Sequence, residues 1–186
     1  MTESKIIYSL RKENLNNYSK TYVPSRLLLG PGPSNAHPEV LKALSLNPIG
    51  HLDDAYLELM SDVQELLRYA WQCNNRVSLP MSGTGSAAME ASIANFIEEE
   101  ETILIAKKGY FGDRLVDMAT RYKANVVVIE KEWGEAFSLD EIKFEIEKNK
   151  PSIFAIVHAE TSTGVLQPLD GIGEICRKNN CLFLVD

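Results

Sequence analysis

The sequence has no excess of positive charge, few cysteines and no long apolar run. A formal net charge of −7 over 186 residues argues against a nucleic-acid-binding surface, which would be basic. No stretch approaches the roughly 20 apolar residues that a membrane-spanning helix needs. The three cysteines, Cys73, Cys176 and Cys181, lack the spacing of metal ligands. We therefore expect no nucleic-acid partner, no membrane partner and no metal site.

An odd cysteine count also favours free thiols, which persist in a reducing compartment such as the cytoplasm. The first 20 residues lack the apolar core of a secretory signal. They do contain Lys5, Arg11, Lys12 and Lys20, so an organelle-targeting segment is an alternative to the cytoplasmic location that we expect.

The composition is that of a globular domain, with 45% hydrophobic and 24% charged residues. Residues 1–26 are largely polar, and we interpret them as an N-terminal arm. Residues 27–186 are enough for one domain with a sizeable core. Within them, apolar positions at helical spacing predict a long helix from Tyr56, capped by Asp53 or Asp54.

From residue 77 onward, short apolar runs alternate with helical patterns. Runs typical of strands occupy residues 77–81, 102–106, 125–129, 153–157 and 181–185. Helical patterns occupy residues 87–97, 113–122 and 171–178, and a capping box at 138–141 opens one more helix. This exchange predicts an α/β fold, a mostly parallel sheet with helices on both faces. The last apolar run is unbroken, which is typical of a strand buried on both faces.

A glycine-rich turn, Ser82 to Ser86, lies between a predicted strand and a predicted helix. Its glycines let the backbone approach a ligand closely. The N–H groups of the helix start, with the hydroxyls of Thr84 and Ser86, would bind an anion such as phosphate. The turn lacks the lysine of a P-loop and the glycine spacing of a dinucleotide fingerprint. The alternative is a tight turn with a Ser/Thr N-cap and no ligand.

Further candidate side chains follow other predicted strands. Phe111 could stack on a planar ring or be an ordinary core aromatic residue. The hydroxyl-rich loop 158–164 could bind a ligand or be a solvated turn. Within it, His158 is suited to a local hydrogen bond. Glu160 could cap a helix or form an ion pair. Asp186 could hold a proton on a pyridinium nitrogen or simply end a turn. Because parallel strands end at one edge of a sheet, these groups should gather there.

Five segments resemble the class V pyridoxal-phosphate aminotransferases, and within them the alanine–glyoxylate or serine–pyruvate branch. They are LLLGPGPSN (27–35), SGTGSAAMEA (82–91), KGYFGDR (108–114), HAETSTGVLQPLDG (158–171) and LFLVD (182–186). The run ETSTGVLQPLDG is long and specific, whereas SGTGS alone would be weak. The resemblance implies the large domain of a fold-type-I enzyme, with pyridoxal 5'-phosphate as its cofactor.

The resemblance also implies cofactor-binding residues by position. Thr84, Gly85 and Ser86 match the family's turn that holds the cofactor phosphate at a helix start. Phe111 matches the aromatic residue that stacks on the cofactor ring, where many relatives have tryptophan. A smaller stacking area is therefore expected here.

Three more roles come from the same resemblance. Thr161 matches a hydroxyl residue that hydrogen-bonds the cofactor near its phenolic oxygen. Asp186 matches the aspartate that pairs with the pyridine nitrogen, which makes it the one catalytic residue expected here. Gly32 belongs to a loop near the substrate entrance, and the N-terminal arm resembles one that embraces the partner subunit in homodimers.

The sequence departs from the family at one functional position. The family's Schiff-base lysine follows the aspartate, but no candidate follows Asp186, and neither Lys107 nor Lys108 matches that position. The family's C-terminal domain is missing too. We therefore expect a truncated N-terminal portion that is inactive alone.

For the intact protein, the resemblance implies transfer of an amino group from alanine or serine to glyoxylate or pyruvate. The substrates would be small amino acids and 2-oxo acids, and the protein would be a homodimer. Two alternatives stay open. One is another class V reaction, phosphonate transamination or cysteine desulfuration. The other is a non-catalytic fragment that acts through interaction.

Overall fold

The structure is a computed structural model and describes residues 23–186. Residues 23–48 belong to one compact unit and residues 49–186 form another. In the first, helix α1 spans Pro38–Ala43, and the Asn35 side chain closes the turn before it. The Asn35 amide donates to the carbonyl of Arg26 at 2.9 Å and accepts from the N–H of Leu28 at 2.8 Å. Most of the predicted arm, residues 1–22, lies outside the described residues.

The second unit alternates helices and strands as the sequence predicts. Its elements are α2 (Asp54–Trp71), α3 (Gly85–Phe96), β1 (Thr102–Lys107), α4 (Tyr110–Arg121), β2 (Asn125–Glu130), α5 (Leu139–Asn149), β3 (Ile153–Ile156), β4 (Ala159–Glu160), β5 (Val165–Leu166), α6 (Ile172–Lys178) and β6 (Leu182–Val185). The side chain of Asp53 caps α2, and the capping box between Ser138 and Glu141 opens α5, both as expected.

The main sheet has four parallel strands in the order β2-β1-β3-β6. Because side chains alternate along a strand, each strand contributes to two cores. Leu104 and Phe154 pack on one face with residues of α5 and α6. Ile103 and Ile105 pack on the other with residues of α3 and α4. The predicted α/β architecture, with helices on both faces, is confirmed.

Two predictions about strands are wrong. Residues 77–81 do not form a strand; they line a groove of about 870 Å³ beside β6, and Val77 is 70% exposed. An apolar run becomes a strand only if a neighbour pairs with it, and none of the described strands does so here. The last strand is not buried on both faces either. Within residues 49–186, β6 pairs only with β3, and Leu182 is 53% exposed.

Two local features differ from the sequence pattern. Helix α4 begins at Tyr110 rather than at residue 113, because acceptors from another loop satisfy its first N–H groups. The hydroxyl-rich loop after β3 contains a small antiparallel hairpin, in which Glu160 faces Val165. Both features shape the carboxyl edge of the main sheet. Within residues 23–186, no helix combines the length and hydropathy that crossing a bilayer requires.

Candidate functional site

Three chain segments meet at the carboxyl edge of the main sheet. After β1 the chain enters α4, after β3 it enters the β4–β5 hairpin, and β6 ends at Asp186. The N–H of Asp186 donates to the carbonyl of Ile156 at 3.0 Å, and its carbonyl accepts from the N–H of His158 at 2.8 Å. These bonds continue the β3–β6 pairing and fix Asp186 beside the hairpin.

The glycine-rich turn leaves polar groups free at the start of α3. Thr84 is the N-cap residue, yet its hydroxyl makes no capping hydrogen bond. No acidic side chain occupies the first turn of α3, and Thr84 and Gly85 are exposed. Unpaired N–H groups and the helix dipole therefore favour an anion at this point. Gly83 is required by packing, since an added Cβ would lie 2.9 Å from the Cβ of Ala87.

Arg114 connects this turn to the aromatic residues of α4. Its guanidinium donates one hydrogen bond to the hydroxyl of Ser86 and another, at 3.3 Å, to the hydroxyl of Tyr110. Its Cζ lies 5.4 Å from the centroid of the Phe111 ring and 5.2 Å from that of Tyr110. The spacing of one helical turn within α4 brings these groups together.

Charged side chains in both neighbouring segments affect the pKa of Asp186. Burial of its carboxyl by nearby protein atoms, and secondly the negative charge of Glu160, raise its pKa above the ordinary value. The positive charge of Arg114 acts in the opposite direction. Although Asp186 is exposed at the surface, it therefore lies within electrostatic reach of both side chains. A cationic ring bound beside it would favour the ionised form further.

Glu160 caps α4 from a distant part of the chain. Its side chain is 1% exposed, and its carboxylate accepts hydrogen bonds from the N–H groups of Phe111 and Gly112, both at 3.3 Å. Ser162 donates its hydroxyl to Glu160 at 2.6 Å and accepts from the N–H of Tyr110 at 3.0 Å. The hairpin thus supplies acceptors that α4 lacks, because its own N-cap residue is Gly109.

The two lysines at the end of β1 have opposite environments. Lys107 forms ion pairs with Asp113 at 3.0 Å and Glu130 at 2.8 Å, and these raise its pKa. Lys108 is 1% exposed, and its amine has no hydrogen-bond partner among the described residues. Burial lowers the pKa of Lys108, while the charge of Glu160 opposes that shift. Neither amine is free at the surface of the site.

His158 serves the scaffold. Its Nδ1 lies 2.8 Å from the carbonyl oxygen of Gln167. The buried side chain of Gln167 in turn exchanges hydrogen bonds with the backbone of Phe137, at 3.0 and 2.9 Å. The expectation that His158 makes a local hydrogen bond is confirmed.

The structure brings several of the predicted site residues together. Ser86 and Phe111 both contact Arg114, and Asp186 lies close enough to feel its charge. Thr161 lies in the hairpin beside Glu160 and is exposed. Gly32 belongs to the other compact unit, so its predicted role stays a prediction.

Sequence reasoning missed Arg114 and the burial of Lys108. The signal for Arg114 was its spacing of three and four residues from two aromatics on one helix. No sequence signal marks Lys108, because its burial depends on the distant hairpin. Taken together, the edge offers anion-binding groups, an aromatic face and a carboxylate, an arrangement suited to a flat cationic ring that carries an anionic group.

Comparisons with known proteins agree with this arrangement. A family model described as "Aminotransferase class-V" matches residues 28–186. The chain is 43% identical to alanine–glyoxylate aminotransferase of Mus musculus and 44% identical to (S)-ureidoglycine–glyoxylate transaminase of Bacillus subtilis, each over 88% of the chain. The crystal structure of alanine–glyoxylate aminotransferase from Nostoc sp. is 56% identical, with a TM-score of 0.88 over 93% of the chain and 46% of that structure.

The matches cover only part of each relative. The chain spans 40% of the length of the mouse protein and 39% of the Bacillus protein.

Proposed function

Because this chain belongs to the class-V aminotransferase family, we propose that it forms the cofactor-binding part of an aminotransferase that passes amino groups to glyoxylate. The cofactor of the family is pyridoxal 5'-phosphate. One observation supports the proposal above the others. Ser86 at the anion-binding turn and the Phe111 ring both contact the guanidinium of Arg114, and the charge of that group also acts on the Asp186 carboxylate.

The described residues fit this cofactor at both of its ends. Thr84, Gly85 and Ser86 would hold the phosphate, because the start of α3 has free N–H groups and an uncapped hydroxyl. Phe111 would contact the ring face. Both ends of the cofactor thus meet groups of matching chemistry.

The other side chains would direct the reaction. When bound, the cofactor supplies an electron sink for bonds broken at the substrate's α-carbon. Asp186 would keep a proton on the pyridine nitrogen through its negative charge, which strengthens that sink. Thr161 would donate its hydroxyl near the phenolic oxygen. The hairpin that carries Thr161 is fixed to α4 through Glu160, so the hairpin and the helix keep their spacing.

The acceptor is inferred from the relatives. Both curated relatives and the Nostoc structure carry glyoxylate in their names. We therefore take glyoxylate as the preferred acceptor, with pyruvate as the alternative. Alanine or serine is the proposed donor, and Gly32 is the proposed contact near the substrate entrance.

A second donor is favoured by a specific observation. The chain is as similar to the Bacillus ureidoglycine enzyme as to the mouse alanine enzyme, at 44% and 43% identity. (S)-Ureidoglycine is therefore a candidate donor in place of alanine.

Assembly and location complete the proposal. We propose a homodimer, which the family resemblance of the N-terminal arm supports. We also propose a cytoplasmic location, since all three cysteines are free thiols in the structure.

The proposal is tested on the protein at its natural length. Binding of pyridoxal 5'-phosphate is followed by absorbance, and turnover is measured with glyoxylate and alanine, serine or (S)-ureidoglycine. We expect saturable cofactor binding and one preferred donor. Turnover only with 2-aminoethylphosphonate or only with cysteine would replace this reaction with another of the family. A protein that does not bind the cofactor would overturn the proposal in favour of a non-catalytic role.

A further inference from the structure

Arg114 occupies an unusual position for an arginine. Its side chain is half-buried, and within residues 23–186 no carboxylate lies within ion-pair distance of it. Instead, it donates to two hydroxyls and lies over two aromatic rings. Arg68, Arg121 and Arg177 of the same unit each form an ion pair with a carboxylate. Arg121, also on α4, pairs with Asp117 at 2.8 Å and is exposed.

The contact with Ser86 fixes the direction of a proton. A hydroxyl has one hydrogen to donate and two lone pairs that can accept. Arg114 donates to the Ser86 oxygen, so the hydroxyl hydrogen must point away from the guanidinium. Ser86 lies in the first turn of α3, where the free N–H groups also favour an anion. The hydroxyl hydrogen thereby remains available to an anion bound at this turn.

The contacts of Arg114 with two aromatic residues of α4 restrain a second part of the site. Tyr110 and Phe111 meet edge to face, with ring centroids 5.5 Å apart and an interplanar angle of 85°. The guanidinium lies over both rings and donates to the Tyr110 hydroxyl. A cation over an aromatic ring is held by the ring's quadrupole, so the group restrains the orientation of Phe111. One side chain therefore connects the anion-binding turn to the ring-stacking residue.

We propose that Arg114 is a positioning residue of the cofactor site, which directs the Ser86 hydroxyl toward the phosphate of a bound pyridoxal compound and adds positive charge beside it. The inference rests on the proposed function. It goes beyond it by assigning recognition of the phosphate to a side chain outside the glycine-rich turn. Arg114 acts through Ser86, and its effect should depend on whether the ligand carries a phosphate.

The experiment compares two ligands that differ only in that group. Pyridoxamine 5'-phosphate and pyridoxamine are titrated into the protein at its natural length, and the ratio of their dissociation constants reports phosphate recognition. The variants are Arg114→Gln, Arg114→Lys, Ser86→Ala and the double variant Arg114→Gln with Ser86→Ala. Arg121→Gln is the matched control, since it removes the same charge from the same helix away from the turn. Circular dichroism and thermal melting check that each variant folds.

The expected results follow from the loss of a charged hydrogen-bonding group. Arg114→Gln should weaken pyridoxamine 5'-phosphate binding about tenfold or more. It should weaken pyridoxamine binding to a clearly smaller extent, through the less restrained Phe111 ring. Arg114→Lys keeps the positive charge but loses the planar set of donors of the guanidinium. It should therefore retain part of the preference for the phosphorylated ligand. The double variant should lose less than the product of the two single effects, because the two residues act as one unit. Arg121→Gln should change neither constant.

Three outcomes would overturn this inference and leave the proposed function standing. They are an unchanged phosphate preference in Arg114→Gln, an equal loss for both ligands, and full additivity with Ser86→Ala. If Arg114→Gln failed to fold, Arg114→Met would take its place, and an unchanged phosphate preference in that variant would overturn the inference in the same way. If the unaltered protein bound neither ligand, the proposed function would fail, and this inference with it.

Discussion

The carboxylate of Glu160 accepts a hydrogen bond from the backbone N–H of Phe111 at 3.3 Å, which joins two segments 49 residues apart in the sequence. The same carboxylate accepts from Gly112, the next N–H of α4. A negative charge at a helix start also interacts favourably with the helix dipole. The residue expected to contact the cofactor ring therefore depends, for its backbone position, on a buried acid in another loop.

Replacing Glu160 with Gln should reduce the free energy of unfolding by about 1–3 kcal/mol, because it removes charge from buried hydrogen bonds and leaves Lys108 without a counter-charge. Urea unfolding at pH 7 measures this. Glu174→Gln is the control, since Glu174 lies in the first turn of α6 but is 61% exposed, and it should change stability by less than about 0.5 kcal/mol. Equal effects of the two substitutions would contradict the capping role.

Gly109→Ala should destabilise the protein by about 1–3 kcal/mol through overpacking. The backbone at Gly109 is extended, so the cost is steric: the added Cβ would lie 2.5 Å from Cδ of Glu160 and 2.6 Å from the Ser162 hydroxyl. In Gly173→Ala the new Cβ has nothing closer than Arg177 at 4.0 Å. This control lies within α6 and should stabilise by about 0.5–1 kcal/mol. Thermal melting of both variants distinguishes the two cases.

Lys108→Met should raise the free energy of unfolding at pH 7 by about 1–3 kcal/mol, because an amine without a hydrogen-bond partner is replaced by an apolar chain of similar length. The exposed Lys143, changed to Met, is the control and should have little effect. A destabilised Lys108→Met variant would show that the charge facing Glu160 outweighs the burial of the amine.

The same lysine predicts a pH dependence. Its folded pKa is lowered below 10.5, so the unfolded chain binds more protons between the lowered value and 10.5. The free energy of unfolding should therefore rise with pH across that window, and the advantage of Lys108→Met should shrink. Urea titrations of both proteins from pH 7 to pH 10 measure it. An advantage that is constant with pH would show that the amine is already neutral at pH 7.

Asp186→Asn should lower the activity of the protein without lowering its stability. Losing the charge beside the ring nitrogen should lower the turnover number of the full-length protein by about a hundredfold or more. The pKa of Asp186 is raised in the folded chain, so its ionisation at pH 7 opposes folding. The variant without cofactor should therefore be at least as stable as the parent protein. Near-normal turnover would remove Asp186 from the mechanism.

Local sequence patterns predicted the elements whose causes are local. The capping box at Ser138 and Glu141 contains its donors and acceptors within four residues, and α5 begins where it predicts. The strands β1, β2 and β3 could be predicted because their short apolar runs, rich in Ile or Val, suit a parallel sheet. These features need no knowledge of distant residues.

Features that depend on distant partners were not predictable in the same way. The sequence pattern predicts the start of α4 three residues too late, since the first N–H groups of this helix are satisfied by Glu160 and Ser162. Residues 77–81 have the composition of a strand but no paired neighbour among the described strands. For the site, the glycine-rich turn and Asp186 were recognisable from motifs, whereas Arg114 is defined by contacts across the fold.

The distance along the chain between α4 and its cap also bears on biosynthesis. Tyr110, Phe111 and Gly112 emerge from the ribosome about 50 residues before Ser162 and Glu160, which at typical elongation rates is a delay of several seconds. During that interval only water can accept hydrogen bonds from the leading amides of the nascent helix. Tyr110 and Phe111 should consequently become rigid late in the folding of the unit 49–186, after β3 and the β4–β5 hairpin that follows it have docked.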